Sequence, residues 1–470
     1  MKQNVDSYSN SKGLSGNGQV KLFPEVEKLN EQFRPIHYLG SKLRILDFIQ
    51  NAVDDVSPSG GRVCDLFAGS GTVSMHLSRI RPVTSVDIQE YSRVLCSALL
   101  KPSSFEHPVN WFVDNCKNSK DYDRLLWCSQ PLVDYEEHCM KQALQGELVP
   151  LCDLVENGSI LGFEENPYYN CLPALRSAIQ ETNLRIQKYN LNGPGTLVLR
   201  YFGGLYFSYL QATHLDILLA DINKLSIQDR DTFLAALLST ASDIVNTVGK
   251  QFAQPIKPRN SDGTPKKGIG KRVQKDRSYD VFSIFEKWVE RYVSLDQPKF
   301  DHHIYKMDYS DALDKIIDSD VQVVYADPPY TRYHYSRYYH VLETISLRDN
   351  PVISKTCLNG KGNISRGVYR EDRHQSPFSI KSQAGSAFET LFQKVRNLNA
   401  SLVLSYSPFD ENKPNTPRVN TISSLEAMAK KYFSNVCTIS AGQFSHSKLN
   451  NSQRNFDTSY DAELLIICRK

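Results

Sequence analysis

Four consecutive residues late in the chain, Asp327-Pro328-Pro329-Tyr330, can do chemistry together, and they follow the apolar run Val321–Ala326. Two prolines in a row can neither continue a sheet ladder nor enter a helix interior, so they force a stiff, extended exit from a strand. The Asp327 carboxylate and the Pro328 carbonyl can then point the same way. An exocyclic amine presents two N–H donors and is satisfied by two such acceptors. Held by them, its nitrogen lone pair faces a methyl donor, which is catalysis by positioning and electrostatics. Tyr330 supplies a flat face on which a base can stack. The bland alternative is a chance turn, and the buried strand ahead of the motif weighs against it.

A second constellation is Asp65-Leu66-Phe67-Ala68-Gly69-Ser70-Gly71-Thr72, between an apolar run and a helical pattern. Glycine takes positive φ and lets a ligand approach the backbone closely. A glycine-rich strand-to-helix turn is a nucleotide-type site at the carboxyl edge of a sheet. Asp87 follows at the tip of the next apolar run, where an acid accepts hydrogen bonds from ribose hydroxyls. A dinucleotide fingerprint would place a third glycine where Ser74 stands, so that reading is incomplete.

The elements that must position these residues are seven β-like runs: Val63–Phe67, Thr84–Ile88, Ile304–Met307, Val321–Ala326, Leu402–Tyr406, Val436–Ser440 and Leu464–Cys468. Most are continuously apolar, as strands covered on both faces are. Helical patterns accompany them at Val73–Ile80, Ser92–Leu100 and Leu425–Tyr432, which predicts a mostly parallel, doubly wound α/β sheet. The last two runs are expected to form an antiparallel hairpin at the sheet edge. Between the second and third runs lie some two hundred residues with helical periodicity around Leu205–Leu225 and Asp231–Val248, so a largely helical domain is inserted into the sheet. The expected organisation is a flexible tail at 1–29, a catalytic domain from 30–100 and 300–470, and a helical insertion at 101–299. The aromatic stretch Tyr201–Gln211 within the insertion is expected to be core. Polar loops are expected at Leu358–Gln383 and Gln443–Tyr460.

These motifs, in this order, resemble the Dam-like (alpha-group) adenine-N6-specific DNA methyltransferases. His37-Tyr38-Leu39-Gly40-Ser41-Lys42 looks like that family's opening cofactor motif, Asp65–Thr72 its glycine-rich motif and Asp327–Tyr330 its catalytic motif. The family places its target-recognition domain between the last two, where this chain has its insertion. The resemblance implies a Rossmann-like S-adenosylmethionine-dependent fold that binds double-stranded DNA and flips an adenine out. It implies that Tyr38 and Lys42 contact the cofactor, with Lys42 able to reach the cofactor carboxylate or the active-site acid. Asp65, Phe67, Gly69 and Gly71 would lie along the cofactor, the glycines close to its methionine moiety. Asp87 would bind its ribose and Asp308 its adenine amine. Asp327, Pro328, Pro329 and Tyr330 would hold the target adenine. Two departures stand out: the family's usual aromatic-Ala-Gly-Gly-Lys string is Tyr-Leu-Gly-Ser-Lys here, and the insertion is long and matches no target-recognition sequence.

Interleaved aromatics and cations after the catalytic motif, among them Arg332 and Arg337, suit contact with nucleic acid. So does the basic segment Pro255–Arg277, which holds eight Lys or Arg against two Asp and includes Lys266, Lys267, Lys271 and Arg272. It is expected to be an exposed, mobile arm for phosphates. Over the whole chain of 470 residues, 40% hydrophobic and 23% charged with net charge +3, the composition is ordinary for a globular protein. No apolar run approaches the roughly 18 residues of a membrane span. Ten scattered cysteines without a zinc-type spacing point to reduced thiols, a cytoplasmic setting and no metal. The DNA substrate that the resemblance implies would place the chain near the nucleoid. A cognate restriction endonuclease is a conceivable partner. Two other classes stay open: methylation of RNA or another amine on the same fold, and an inactive DNA-binding relative.

Overall fold

The apolar runs are strands that bury both faces. A computed structural model of the chain describes residues 33–166, 170–191, 193–329, 335–358, 361–407, 420–441 and 463–470. The strands are β1 (Arg62–Asp65), β2 (Val83–Asp87), β3 (His303–Lys306), β4 (Val321–Ala326), β5 (Lys355–Leu358), β6 (Lys361–Ile364), β7 (Ser401–Tyr406), β8 (Asn435–Ser440) and β9 (Leu464–Arg469). Seven form one sheet in the order β3-β2-β1-β4-β7-β9-β8, and β5 and β6 make a separate antiparallel pair. The first five strands of the sheet run parallel, while β9 is antiparallel to both β7 and β8.

Side chains alternate across the sheet as a period of two requires. Val323, Tyr325, Val403, Leu465 and Ile467 face one core, and Val324, Ala326, Leu402, Leu404 and Ile466 the other. Helices α1 (Leu46–Val56) and α2 (Thr72–Leu77) cover the first face. Helix α3 (Glu90–Leu100) joins the sheet to the helical region. Ten helices follow among the described residues: α4 (Val109–Lys117), α5 (Lys120–Leu144), α6 (Val149–Asn157), α7 (Ile160–Glu165), α8 (Pro173–Lys188), α9 (Leu197–Phe202), α10 (Tyr209–Ile222), α11 (Ile227–Ile244), α12 (Ile269–Arg277) and α13 (Val281–Val293). The chain then returns to the sheet with α14 (Tyr309–Lys315), α15 (Tyr335–Leu347), α16 (Ala384–Asn397) and α17 (Ile422–Ala429). Of these α14, α16 and α17 cover the second face.

Two expectations change, and one holds: the last two strands form an antiparallel pair at the sheet edge, with β9 inside against β7 and β8 outermost. The reason is apolarity on both sides, since Leu465, Ile466, Ile467 and Cys468 are all buried while β8 is only half-buried. The basic segment Pro255–Arg277 is not a mobile arm throughout. Its second part is α12, which buries Ile269, Gly270, Val273 and Asp276. Arg277 forms a buried ion pair with Glu136, Arg259 pairs with Glu156 at 2.9 Å, and Lys250 holds Asp276 at 2.9 Å. The polar loop Leu358–Gln383 contains β6 and a short 3-10 turn at Pro377–Ser379. The stretch Tyr201–Gln211 is core as expected, with Phe202, Tyr206, Phe207 and Tyr209 fully buried. Residues 1–29 and the loop 443–460 lie outside the described residues.

Candidate active site

The sheet order turns in opposite directions on either side of β1 and β4, and ligands of open α/β sheets bind at the carboxyl ends of strands at such a switch point. Asp65 pairs with Tyr325 in register, and the Leu66 N–H donates to the Tyr325 carbonyl at 2.9 Å. The glycine-rich turn and the Asp327-Pro328-Pro329 corner therefore leave the sheet side by side. Between them opens a cleft of about 1270 Å³ including its mouth.

Lys42 stands at the centre of the site. Its Nζ lies 3.0 Å from Asp327 Oδ2 and 3.2 Å from Glu463 Oε1. Lys42 is 6% exposed, Glu463 0% and Asp327 22%, so one carboxylate of the pair faces the cleft and the other is sealed beneath it. Ser405 donates to Glu463 Oε1 at 2.5 Å. Burial, and then the Glu463 charge, push the Asp327 carboxyl up, while Lys42 pulls it back. Burial prevails, because taking a carboxylate out of water disfavours its charged form.

Asp87 accepts the Gly69 N–H on one oxygen and the Gln89 N–H on the other, both at 2.9 Å. That fixes the carboxylate at the cleft wall. Asp65 is turned instead towards Ser74, whose hydroxyl donates at 2.6 Å, and burial lifts its carboxyl to about 7. Ser74, where a dinucleotide fold would carry glycine, thus ties α2 to β1. Asp308 caps α14 through the Ser310 N–H at 2.9 Å and lines the cleft. Phe67 packs edge-on to Phe378 at 5.4 Å and stacks near Tyr309 at 5.9 Å, giving the cleft an aromatic floor. Tyr38 stacks on Tyr339 at 4.9 Å, and the Leu39 N–H donates to the Tyr339 hydroxyl at 2.7 Å.

The structure thus brings Tyr38, Lys42, Asp65, Phe67, Asp87, Asp308, Asp327, Pro328 and Pro329 to one cleft. Gly69 and Gly71 are not on its wall, although Ala68, Ser70 and Thr72 are. Gly69, at φ +54°, has Tyr38 where a side chain would be, with the hydroxyl 2.5 Å from an ideal Cβ. Gly71, at φ +75°, faces Leu99 and Cys96 of α3. Both glycines are closely packed at positions where a side chain would collide. Tyr330 and Arg332 lie outside the described residues. Arg337 is half-buried beside the cleft-lining Ser336. In the basic segment Lys267, Lys271 and Arg272 are exposed, while Lys266 bonds the Lys257 carbonyl at 2.8 Å.

Sequence reasoning missed Glu463 and the segment His374-Gln375-Ser376-Pro377, which closes the cleft opposite Asp87 and Asp308. Glu463 had a faint signal: it is an acid directly before the apolar run Leu464–Cys468. Because β9 runs antiparallel, its first residue lies at the edge where the parallel strands end. His374 is held neutral by burial, with Asp308 and Asp87 opposing.

Among the described residues no helix is long and apolar enough to cross a membrane. Residues 38–126 and 276–372 match the family model described as D12 class N6 adenine-specific DNA methyltransferase. The chain is 23% identical over 451 residues to the modification methylase LlaI of Lactococcus lactis subsp. lactis, covering 93% of this chain and 55% of that protein. It is 21% identical over 379 residues to the type II methyltransferase M.FokI of Planomicrobium okeanokoites, covering 79% of this chain and 44% of that one. The chain thus spans about half the length of these curated relatives. The matched segments contain Lys42, the glycine-rich turn and the Asp-Pro-Pro corner with the strands that carry them, so it is through this catalytic sheet that the chain is similar to the D12 class N6 adenine-specific DNA methyltransferases.

Proposed function

We propose that this chain transfers a methyl group from S-adenosylmethionine to N6 of an adenine flipped out of duplex DNA. The observation that carries the reading is the Lys42–Asp327 pair at the head of the Asp-Pro-Pro corner, set over the buried Glu463. Asp65, Asp87, Asp308 and Asp327 all line the cleft, and Lys42 is the single lysine among its described lining residues. Such a wall suits a ligand that carries cationic ammonium and sulfonium groups. Asp87 would take the ribose hydroxyls, and Phe67 and Asp308 the adenine end. When bound, S-adenosylmethionine supplies an electrophilic methyl carbon.

The chain's own residues do the rest. Flipping a base costs a few kcal/mol, which stacking on Tyr330 would offset. The Asp327 carboxylate and the Pro328 carbonyl accept the two N6 protons and aim the nitrogen. Lys42 favours the anionic form of Asp327 against its burial, and that acceptor strengthens as the nitrogen gains positive character in the transition state. No cysteine is among the described lining residues, so nothing there offers the thiolate that cytosine-C5 chemistry requires. The helices between α3 and β3 would read the DNA sequence, with Lys266, Lys267, Lys271 and Arg272 on phosphates. The names of the two relatives support a role as the modifying half of a restriction–modification pair, with a cognate endonuclease as partner.

The test is transfer of tritium from labelled S-adenosylmethionine to unmethylated genomic DNA, followed by nucleoside chromatography. Label in N6-methyldeoxyadenosine that disappears in Asp327→Ala is expected. Label in RNA or protein instead, with none in DNA, would overturn the substrate and leave the fold and donor in place.

A further inference from the structure

Two guanidiniums share one aromatic ring. Arg337 lies 4.6 Å and Arg373 4.9 Å from the centroid of Tyr369. Arg337 also donates from Nη2 to the Tyr369 hydroxyl at 3.2 Å. The ring itself is immobilised: its hydroxyl donates to the Ala253 carbonyl, its backbone N–H donates to Ser365 Oγ at 3.0 Å, and His340 packs edge-on at 5.0 Å. The preceding residue, Val368, holds φ +51°, a conformation that a β-branched residue adopts only when its surroundings impose it. The platform is therefore built, not incidental.

Neither cation has a carboxylate of its own among the described residues. The nearby acids Asp349 and Asp372 are both taken by Arg370, at 2.6–2.9 Å. Among the described residues neither Arg337 nor Arg373 forms an ion pair, and Arg373 Nη1 is shut from solvent without an acceptor. His340 beneath the ring adds no negative charge, since burial keeps it neutral. Burial and the neighbouring Arg337 hold the Arg373 guanidinium below its ordinary value. Two like charges kept this close are stabilised by an anion between them. Arg337 adjoins Ser336 and Arg373 adjoins His374, both of which line the cleft. An anion held by this pair would therefore lie next to the cleft lining, within reach of the backbone of an inserted nucleotide. Planar guanidiniums bind phosphate oxygens in pairs and are the usual choice for this contact.

We propose that Arg337 and Arg373 form a phosphate clamp for the DNA backbone beside the nucleotide that enters the cleft. The inference rests on the DNA reading above and adds a backbone contact that the motifs do not contain. Its test uses the full chain and a duplex that the wild type methylates. Binding is measured by fluorescence anisotropy at several salt concentrations for the wild type, Arg337→Ala, Arg373→Gln and the double variant. Each substitution is expected to weaken binding about tenfold and to reduce the slope of log Kd against log salt by about one. S-adenosylmethionine binding, followed by calorimetry, should stay unchanged, and the loss of activity should appear more in KM for DNA than in kcat. A single neutral methylphosphonate next to the target adenine should weaken the wild type and leave the double variant unaffected. Unchanged affinity and salt slope in Arg373→Gln, which leaves the Arg337–Tyr369 bond intact, would overturn the clamp even where Arg337→Ala misfolds. So would a loss seen with RNA and not with duplex DNA. A wild type that labels no DNA at all would instead sink the functional reading itself.

Discussion

Asp327 has two charged neighbours that act on it in opposite senses, and its titration should follow whichever is removed. The free carboxylate accepts the amine, so kcat/KM should rise with pH through a limb near 6, the value to which burial lifts this acid. In Lys42→Met the compensating cation is lost, the carboxyl moves further up and the limb moves to higher pH. In Glu463→Gln a like charge is lost, the carboxyl moves down and the limb moves to lower pH. Each displacement should be on the order of one pH unit. The pH profile of tritium transfer reads both, and shifts of the same sign would refute the electrostatic account. The glycines separate in the same way. Gly69→Ala drives a Cβ against the Tyr38 hydroxyl and should weaken S-adenosylmethionine binding about tenfold by displacing Tyr38 from Tyr339. Gly71→Ala meets Leu99 and Cys96 and should lower stability by about 1–3 kcal/mol with a smaller effect on that binding. Calorimetry and thermal melting tell the two apart. Asp327 was legible in the sequence because it heads a Pro-Pro string whose backbone allows few conformations, and Tyr38 and Lys42 because their string resembles a family's opening motif. Glu463 was not, because its place depends on the direction of the strand it begins, and strand direction is set by sheet packing far from it.

At the scale of elements, all seven strands of the main sheet could be read from apolarity, and what escaped was order. Nothing local tells β9 to insert between β7 and β8, since the choice follows from which strand needs cover on both faces. The basic segment was misread for a related cause. Its composition is that of a solvated loop, yet Val273 and Ile269 recur at helical spacing and Arg277 finds a buried partner. Glu136 on α5 accepts from Arg277 and also from the Tyr209 N–H at the start of α10, at 2.8 Å. Glu136→Ala would leave a buried guanidinium without its acid and an N–H without its acceptor. Removing one member of a buried pair costs about 3–5 kcal/mol. The expected result is a lower urea midpoint together with faster proteolysis between Pro255 and Arg277. Replacing Arg277 and Glu136 together by apolar residues of similar size should recover most of that loss, and an equally unstable double variant would refute the pairing argument.

At the scale of the molecule, the helical insertion and the sheet are laced together rather than tethered. Residues Arg34–Lys470 form one compact unit. Arg93 of α3 grips Asp231 of α11 with two hydrogen bonds of 2.7 and 2.8 Å. The Phe252 N–H donates to the Tyr338 carbonyl at 3.0 Å, and the Tyr201 hydroxyl donates to the Pro351 carbonyl at 3.2 Å. Tyr206 reaches the Gly367 carbonyl at 3.1 Å. These bonds join the helices to α15 and to the segment after it, the first structure beyond the Asp-Pro-Pro corner. Helices that would read DNA therefore press directly on the helix next to the reacting groups. The chain supplies its own probe of this coupling. Its three tryptophans, Trp111, Trp127 and Trp288, all lie in the helical region, whereas every described residue lining the cleft lies outside 101–299. A ligand that binds only the cleft should nonetheless delay the melting reported by tryptophan fluorescence. At a hundredfold excess over Kd, S-adenosylmethionine should stabilise the fluorescent region by about 2.7 kcal/mol, the full linkage value, with the fluorescence and circular dichroism transitions coincident. Asp231→Ala should lower that shared transition without splitting it. Two transitions, with the tryptophan signal indifferent to the ligand, would mean that the insertion folds as its own unit and that reading and reaction communicate only through the DNA.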